Sequence, residues 1–231
     1  MLLERARTLL EDAQQAGIAA QRASRGEVGR LTVAFILAAT HRVLPQAVGE
    51  FRRRMPEVEL TLREMPISEQ LRALASGEVD MGILRPPVNS NLIASTTLLR
   101  EPFVAALPEG HRLTRHSVLP LARLAGEPFV ISSPGRSPLH SQIISACATA
   151  GFTPAVAQDA ENLITLIGLV RAGLGVALLP QSVETLRPTG IDLRRLRGVE
   201  ERVETAIAWR KDDRSPVCEA FLDAACAACQ H

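Results

Sequence analysis

The sequence predicts an α/β protein made of two Rossmann-like lobes with parallel sheets, joined by crossover strands and preceded by a long linker helix. Three observations carry that prediction. The stretch Leu31–Glu64 reads as strand, polar turn, helix, turn and strand; the same order of elements returns at Phe129–Pro180; and a heptad helix breaks at a glycine-containing linker before the first strand.

The chain opens with Leu2, Ala6, Leu9, Ala13, Ala16, Ala20 and Ala23 at alternating spacings of four and three, between faces rich in Glu, Gln and Arg. A stripe that narrow cannot form a core alone, so this helix is expected to pair with another helix. Ser24–Arg30, with two glycines, ends it as a hinge.

Leu31–Leu37 is a short, partly β-branched apolar run, suited to a strand buried on both faces. Ala38–His41 forms the turn, and Thr40 is placed to cap the helix marked by Val43, Leu44, Ala47, Val48 and Phe51. Pro45 falls early in that helix, and Arg52, Arg53 and Arg54 close it, where cations suit the dipole. A strand end running into a helix start leaves backbone N–H groups facing a crevice, where anions bind. Glu69–Ser76 is the next helix, Gly77 its cap, Val79–Leu84 a buried strand, and Arg85-Pro86-Pro87 its stop.

In the second copy, Phe129–Ile131 is the strand, Ser132–Ser137 the polar turn and Leu139–Ala150 the helix. Ala155–Gln158 is a strand, Asn162–Ala172 a helix with Asn162 at its cap, and Val176–Leu179 the closing strand. Pro56 answers Pro154, Gly77 answers Gly173 and Pro86 answers Pro180. Leu98–Pro108 and Thr205–Arg210 read as strands crossing between the lobes, and Pro216–Cys229 as a helix returning to the first. Paired crossovers leave a cleft between strand ends, which collects Ala38–Thr40, Ile67-Ser68, Ser132–Ser137 and Asn162.

Composition narrows the function. Lys and Arg number 26 against 25 Asp and Glu, without the basic stripe and interleaved aromatics of a nucleic-acid module, so this chain alone is expected to bind DNA poorly. No apolar run approaches the ~20 residues that cross a bilayer, and neither a membrane partner nor a secretory leader is expected. Four cysteines without a leader suggest reduced thiols in the cytoplasm. Cys226 and Cys229, near Cys218 and His231, form no complete metal-ligand set, and small buried helix residues are the expected role. No nucleophile sits in a catalytic motif, and Gly173-Leu174-Gly175 follows a helix rather than opening one, so neither an enzyme nor a cofactor is implied. A solute-binding protein of a transport system would share the two-lobe plan and is the alternative reading, disfavoured by the missing leader and the coiled-coil helix.

The segments LPQAVGEFRRRMPEVELTLRE, LRALASGEVDMGIL, LLREPFVAALPEGHRL and LIGLVRAGLGVALLP, in this order after a heptad helix, resemble the effector-binding half of a LysR-type transcriptional regulator. The likeness spans essentially all 231 residues. It implies a type 2 periplasmic-binding-protein-like fold, with residues 1–28 as linker and dimerisation helix, 29–99 with 204–231 as one lobe and 100–203 as the other. It also implies a homodimer or homotetramer and a small organic acid, aromatic or dicarboxylic, as effector. Promoter DNA would be met only through a winged helix-turn-helix domain that this sequence is expected to lack, with RNA polymerase a further partner the family allows.

The resemblance places the effector against Ala38, Ala39, Thr40, Ile67 and Ser68. Many members carry Ser or Thr where this chain has Ala38, and some where it has Ile67, which implies a less polar effector, or one anchored from the second lobe by Ser132, Ser133 and the N–H groups near Gly135. Arg85 matches an arginine that can serve a carboxylate in some aromatic-compound responders, and Asn162 joins the list as a cleft-facing cap.

Overall fold

The structure, a computed structural model, describes residues 2–24, 26–135, 138–213 and 215–229, with the side chains of 2–4, 6, 7, 16, 18–20, 23 and 24 outside that description. A leading helix α1 (Leu2–Ser24) precedes β1 (Gly29–Phe35), α2 (Val43–Arg54), β2 (Val58–Glu64), α3 (Ile67–Ser76), β3 (Met81–Leu84) and β4 (Ile93–Pro108). Then come β5 (Val118–Pro120), β6 (Pro128–Ser132), α4 (Leu139–Thr149), β7 (Ala155–Ala160), α5 (Leu163–Arg171) and β8 (Ala177–Pro180). β9 (Ile191–Arg197), β10 (Arg202–Arg210) and α6 (Pro216–Cys229) complete the chain.

In the first lobe β1 lies parallel between β2 and β3, with Leu31 opposite Leu60 and Val33 opposite Met81. The alternation along β1 explains its burial. Leu31 and Val33 meet Val43, Ala47 and Phe51 of α2 and Phe221 of α6, while Ala34 meets Ala73 and Leu74 of α3. The run is therefore covered on both faces, as a parallel strand requires. The second lobe repeats the plan: Phe129 and Ile131 pack toward Leu139 and Ile143 of α4, and Val130 toward Leu166 and Val170 of α5. β6 and β7 are parallel, and β6 joins the neighbouring strand through Val130 N donating to Val176 O and Val176 N to Pro128 O, each 2.8 Å.

β4 and β10 serve both lobes. They pair antiparallel over nine positions, from Arg202 opposite Pro102 to Arg210 opposite Ile93, with a register shift between Thr205 and Ala206. Beyond the pairing, β4 continues into the second lobe against β8 and β9. α6 returns to the first lobe and lies on α2, where Phe51 and Phe221 meet edge to face at 5.2 Å.

Several expectations shift. α3 starts at Ile67 rather than Glu69, and β4 at Ile93 rather than Leu98, because the polar Ser95, Thr96 and Thr97 still pair with β10. β5 and β9 were not expected, since the charged Ile191–Arg197 has no apolar run. Thr40 does not cap α2: that helix follows Arg42 with no side-chain cap, and the Thr40 hydroxyl instead donates back to Leu37 O at 2.6 Å, closing a 3-10 turn over Leu37–His41. On α1, Leu9 and Ala13 are exposed, while the side chains of Leu2, Ala6, Ala16, Ala20 and Ala23 lie outside the described residues. Cys218 is buried and Cys226 and Cys229 are half-buried on α6, with burial raising all three thiol pKa values; His231 lies outside the described residues.

The Phe51–Phe221 contact holds the returning helix and hence the end of β10. Phe51→Ala is expected to cost about 3–5 kcal/mol in denaturant unfolding, the range for deleting a fully buried phenylalanine. A loss below about 1 kcal/mol would mean that α6 is held by something else.

Candidate functional site

A cavity of about 500 Å³ opens between the lobes, and its walls come from the C-terminal ends of strands. Ile36, Leu37 and Ala38 follow β1; Glu64, Met65, Pro66 and Ile67 bridge β2 and α3; Arg85 follows β3. The facing wall holds Ser132 at the end of β6, Leu139 at the start of α4, Glu161 to Leu163 between β7 and α5, Leu166, and Pro180 at the end of β8. Most of these side chains are apolar, and three helix N-termini reach the space. Among the described residues no side chain caps α3, whereas Asn162 Oδ1 caps α5 by accepting from Thr165 N at 2.9 Å. Helix starts carry partial positive charge, which favours an anion in the cleft.

The first wall is braced by a buried side chain. Gln70 Nε2 donates to Met65 O at 3.0 Å and to Ile83 O at 3.3 Å, tying the β2–α3 turn to β3. Gly82 makes room for it, since a Cβ there would stand 2.8 Å from Gln70 Oε1. Ile83 O also accepts from Ile36 N, and Phe35 O accepts from Met65 N, both at 3.0 Å. On the second wall, His140 Nδ1 donates to Ser132 O at 2.7 Å and joins α4 to β6.

Arg85 is the charged group of the floor. It is 5% exposed, and its Nη1 is buried with no hydrogen-bond partner among the described residues. Burial lowers its pKa to about 10, opposed by the field of Glu101, so the guanidinium is charged at neutral pH. Glu101 on β4 is 4% exposed; burial raises its pKa, against hydrogen bonds from the Ser182 N–H and hydroxyl and the fields of Arg85 and Arg42. No ion pair within 4 Å joins Arg85 to Glu101 among the described residues. Beside them, burial and then the Arg85 charge lower the His41 pKa, while His41 O accepts from Thr185 Oγ1 at 3.0 Å across the lobe junction. A buried cation whose Nη1 has no hydrogen-bond partner favours an anion beside it.

Of the residues singled out from sequence, Ala38, Ile67, Arg85, Ser132 and Asn162 meet around the cavity. Ala39 is instead buried under β1, Thr40 is turned to Leu37 O, and Ser68 lies on α3 behind Ile67. Ser133 donates to Asp159 at 2.7 Å, and Gly135 is an exposed turn residue with a φ of +73°. None of these five is among the lining residues. Sequence reasoning missed Met65, Leu139, Leu163, Leu166 and the carboxylates Glu64 and Glu161. A usable signal existed, because Glu64, Met65, Glu161 and Leu163 fall at or just after the end of a parallel strand in one of the two repeats, and Leu139 and Leu166 lie in the first turn of the helix that follows one.

Comparisons with known proteins agree with this architecture. Residues 24–230 match the family described as LysR substrate binding domain. The HTH-type transcriptional regulator AlsR of Bacillus subtilis (strain 168) is 35% identical over 204 residues, covering 88% of this chain and 68% of AlsR. Full-length CbnR complexed with its target DNA superposes with a TM-score of 0.88 at 25% identity, covering 100% of this chain and 81% of that one. The effector-binding domain of BenM, at 22% identity and a TM-score of 0.76 over 85% of this chain and 90% of its own, shares the fold. That fold is the type 2 periplasmic-binding-protein-like arrangement of two α/β lobes. The chain therefore belongs to the family of LysR-type transcriptional regulators, whose substrate-binding domain it carries.

Proposed function

We propose that this chain is the ligand-sensing part of its regulator and binds a small organic acid, aromatic or dicarboxylic, in the interlobe cleft. The observation that carries the reading is Arg85, a buried guanidinium with an unanswered N–H group on the floor of a mainly apolar cavity. The carboxylate would pair with Arg85, and Ala38, Ile67, Leu139 and Leu166 would hold the apolar body, with Ser132 and Asn162 as polar neighbours. Ala39, Thr40, Ser68, Ser133 and Gly135 then act as support behind the walls. We also propose no catalytic role, a cytoplasmic location, and the division at residues 28, 99 and 203 into linker helix and lobes.

Acid bound by both walls would favour one angle between the lobes, and only such a difference in affinity lets a ligand shift the equilibrium. Residues 1–28 would pass the change on by pairing subunits into a dimer or tetramer. DNA would be met through a helix-turn-helix domain, by likeness to CbnR on its target DNA, with RNA polymerase a candidate further contact. Among the described residues no helix is long and apolar enough to cross a membrane.

A panel of aromatic acids and dicarboxylates tests the sensing role by melting temperature. At a hundredfold excess over Kd, binding stabilises by about 2.7 kcal/mol, a rise of about 5–10 °C for a chain of this size. Arg85→Met is expected to weaken binding about 10- to 100-fold, the value of a hydrogen bond to a charged group. Leu166→Trp, which fills the cleft while keeping the charge, should weaken it as well. A panel without any shift, or shifts indifferent to both variants, contradicts the reading. For the assembly, light scattering should show a dimer or larger species that falls to a smaller one when residues 1–26 are removed; a monomer in both cases contradicts the pairing role.

A further inference from the structure

Two titratable groups beside Arg85 are placed to respond when an anion arrives there. Resting on the sensing role proposed above, we infer that an acid bound at Arg85 draws a proton into the lobe junction, taken up by His41 and Glu101, so that the cleft senses the acid and the acidity around it together. The 3-10 turn that supplies Leu37 and Ala38 to the cavity ends at His41, whose O accepts from Thr185 Oγ1 across the junction at 3.0 Å. Glu101 on β4 is buried and accepts from the Ser182 hydroxyl at 3.0 Å. The buried Arg85 acts through space on both groups.

The His41 ring has a place for the proton. Thr40 Oγ1 gives its hydrogen to Leu37 O, so toward His41 Nδ1, 3.5 Å away, it can only accept. That assigns the hydrogen of the neutral imidazole to Nδ1 and leaves the lone pair on Nε2, a buried atom with no hydrogen-bond partner among the described residues. Around the ring stand Arg85 after β3, Arg42 at the next position, Glu101 on β4, and Cys229 at the end of α6 beside Arg42. Glu184, on the turn that carries Thr185, is met by Gln181 Nε2 at 3.4 Å. Burial and then the Arg85 charge hold His41 below the usual imidazole range. Burial lifts Glu101 above the usual carboxylate range, against the Ser182 hydrogen bonds and the fields of Arg85 and Arg42. A carboxylate on Arg85 cancels the field that reaches both groups, and its negative charge favours the protonated form of each. Both pKa values therefore rise on binding, and by reciprocity a proton already present tightens the acid. The gain is fully present below the pKa values of the free protein and is lost as pH rises through those of the complex. Arg85, with its pKa at about 10, stays charged throughout.

The test is calorimetry of benzoate binding to the purified chain from about pH 5.5 to about pH 7.5, in paired buffers of different ionisation enthalpy that carry neither carboxylate nor phosphate. Benzenesulfonate, which stays ionised over this range, separates proton uptake by the protein from uptake by the ligand. The heats are expected to differ between buffers by up to about one proton per ligand at the acid end, and binding to be about tenfold tighter there, the equivalent of a one-unit rise in pKa. His41→Gln and Glu101→Gln should each lower the uptake and the double variant should lose it, with folding checked by circular dichroism. Equal heats in both buffers and an affinity flat with pH, in a chain that binds benzoate through Arg85, would overturn this inference and leave acid sensing intact. Uptake that persists in the folded double variant would overturn the assignment to His41 and Glu101. A variant that does not fold leaves the buffer comparison on the unaltered chain to decide. If neither anion binds, this inference falls, and the sensing role falls with it when no acid of the panel shifts the melt.

Discussion

The antiparallel pairing of β4 with β10 is the constraint on which the molecule depends. β4 runs through both sheets, and β10 follows it from Val203 in the second-lobe core into the first-lobe sheet beside β3, so each lobe is completed by chain shared with the other. The register shift at Thr205 and Ala206 breaks the ladder at the crossing, where a bend is absorbed most easily. Near this crossing Glu101 of β4 holds Ser182, and the Thr185 hydroxyl donates to His41 O across the lobes. Because the 3-10 turn ending at His41 also supplies Leu37 and Ala38 to the cleft, the cavity wall and the lobe junction share one short segment.

That geometry explains the cost accepted at the cleft floor. A buried guanidinium without a close carboxylate is unfavourable, and a hydrophobic residue of similar size would pack more cheaply. Arg85 and Glu101 are both nearly inaccessible, both have pKa values pushed toward the neutral form by burial, and they act on each other through space rather than through an ion pair. Such arrangements gather at functional sites, and the proposed ligand carboxylate is the partner that would offset this cost. The bracing of the wall by Gln70 and Gly82 has the same sense, since a receptive cation is useful only if the apolar surface beside it is held in place.

Much of this was legible in the residues, because the strongest signals were local and periodic. Burial of Leu31, Val33 and Ala34 on both faces, the caps at Gly77 and Asn162, the helix Pro216–Cys229 and the echo between lobes all follow from short-range pattern. β9 was hidden because Arg194 and Arg195 sit where apolar residues would announce a strand; Arg194 is accommodated by folding over to Thr114 O. Thr40 misled for a related reason. The turn after β1 closes on itself as a 3-10 turn, so the hydroxyl is spent two residues ahead of Arg42, the residue before α2. Arg85 and Asn162 could be placed at strand and helix ends from sequence, yet the opposition of Glu64 and Glu161 across the cavity needed the lobes assembled.

The central claim is that one acid is gripped by both lobes at Arg85. Backbone amide resonances followed during titration with benzoate test it most directly. The account predicts saturable shifts at one common affinity for Ala38, Ile67 and Arg85 on the first wall and for Ser132, Asn162 and Leu166 on the second. Shifts confined to one wall, or clustered away from Arg85, would contradict it.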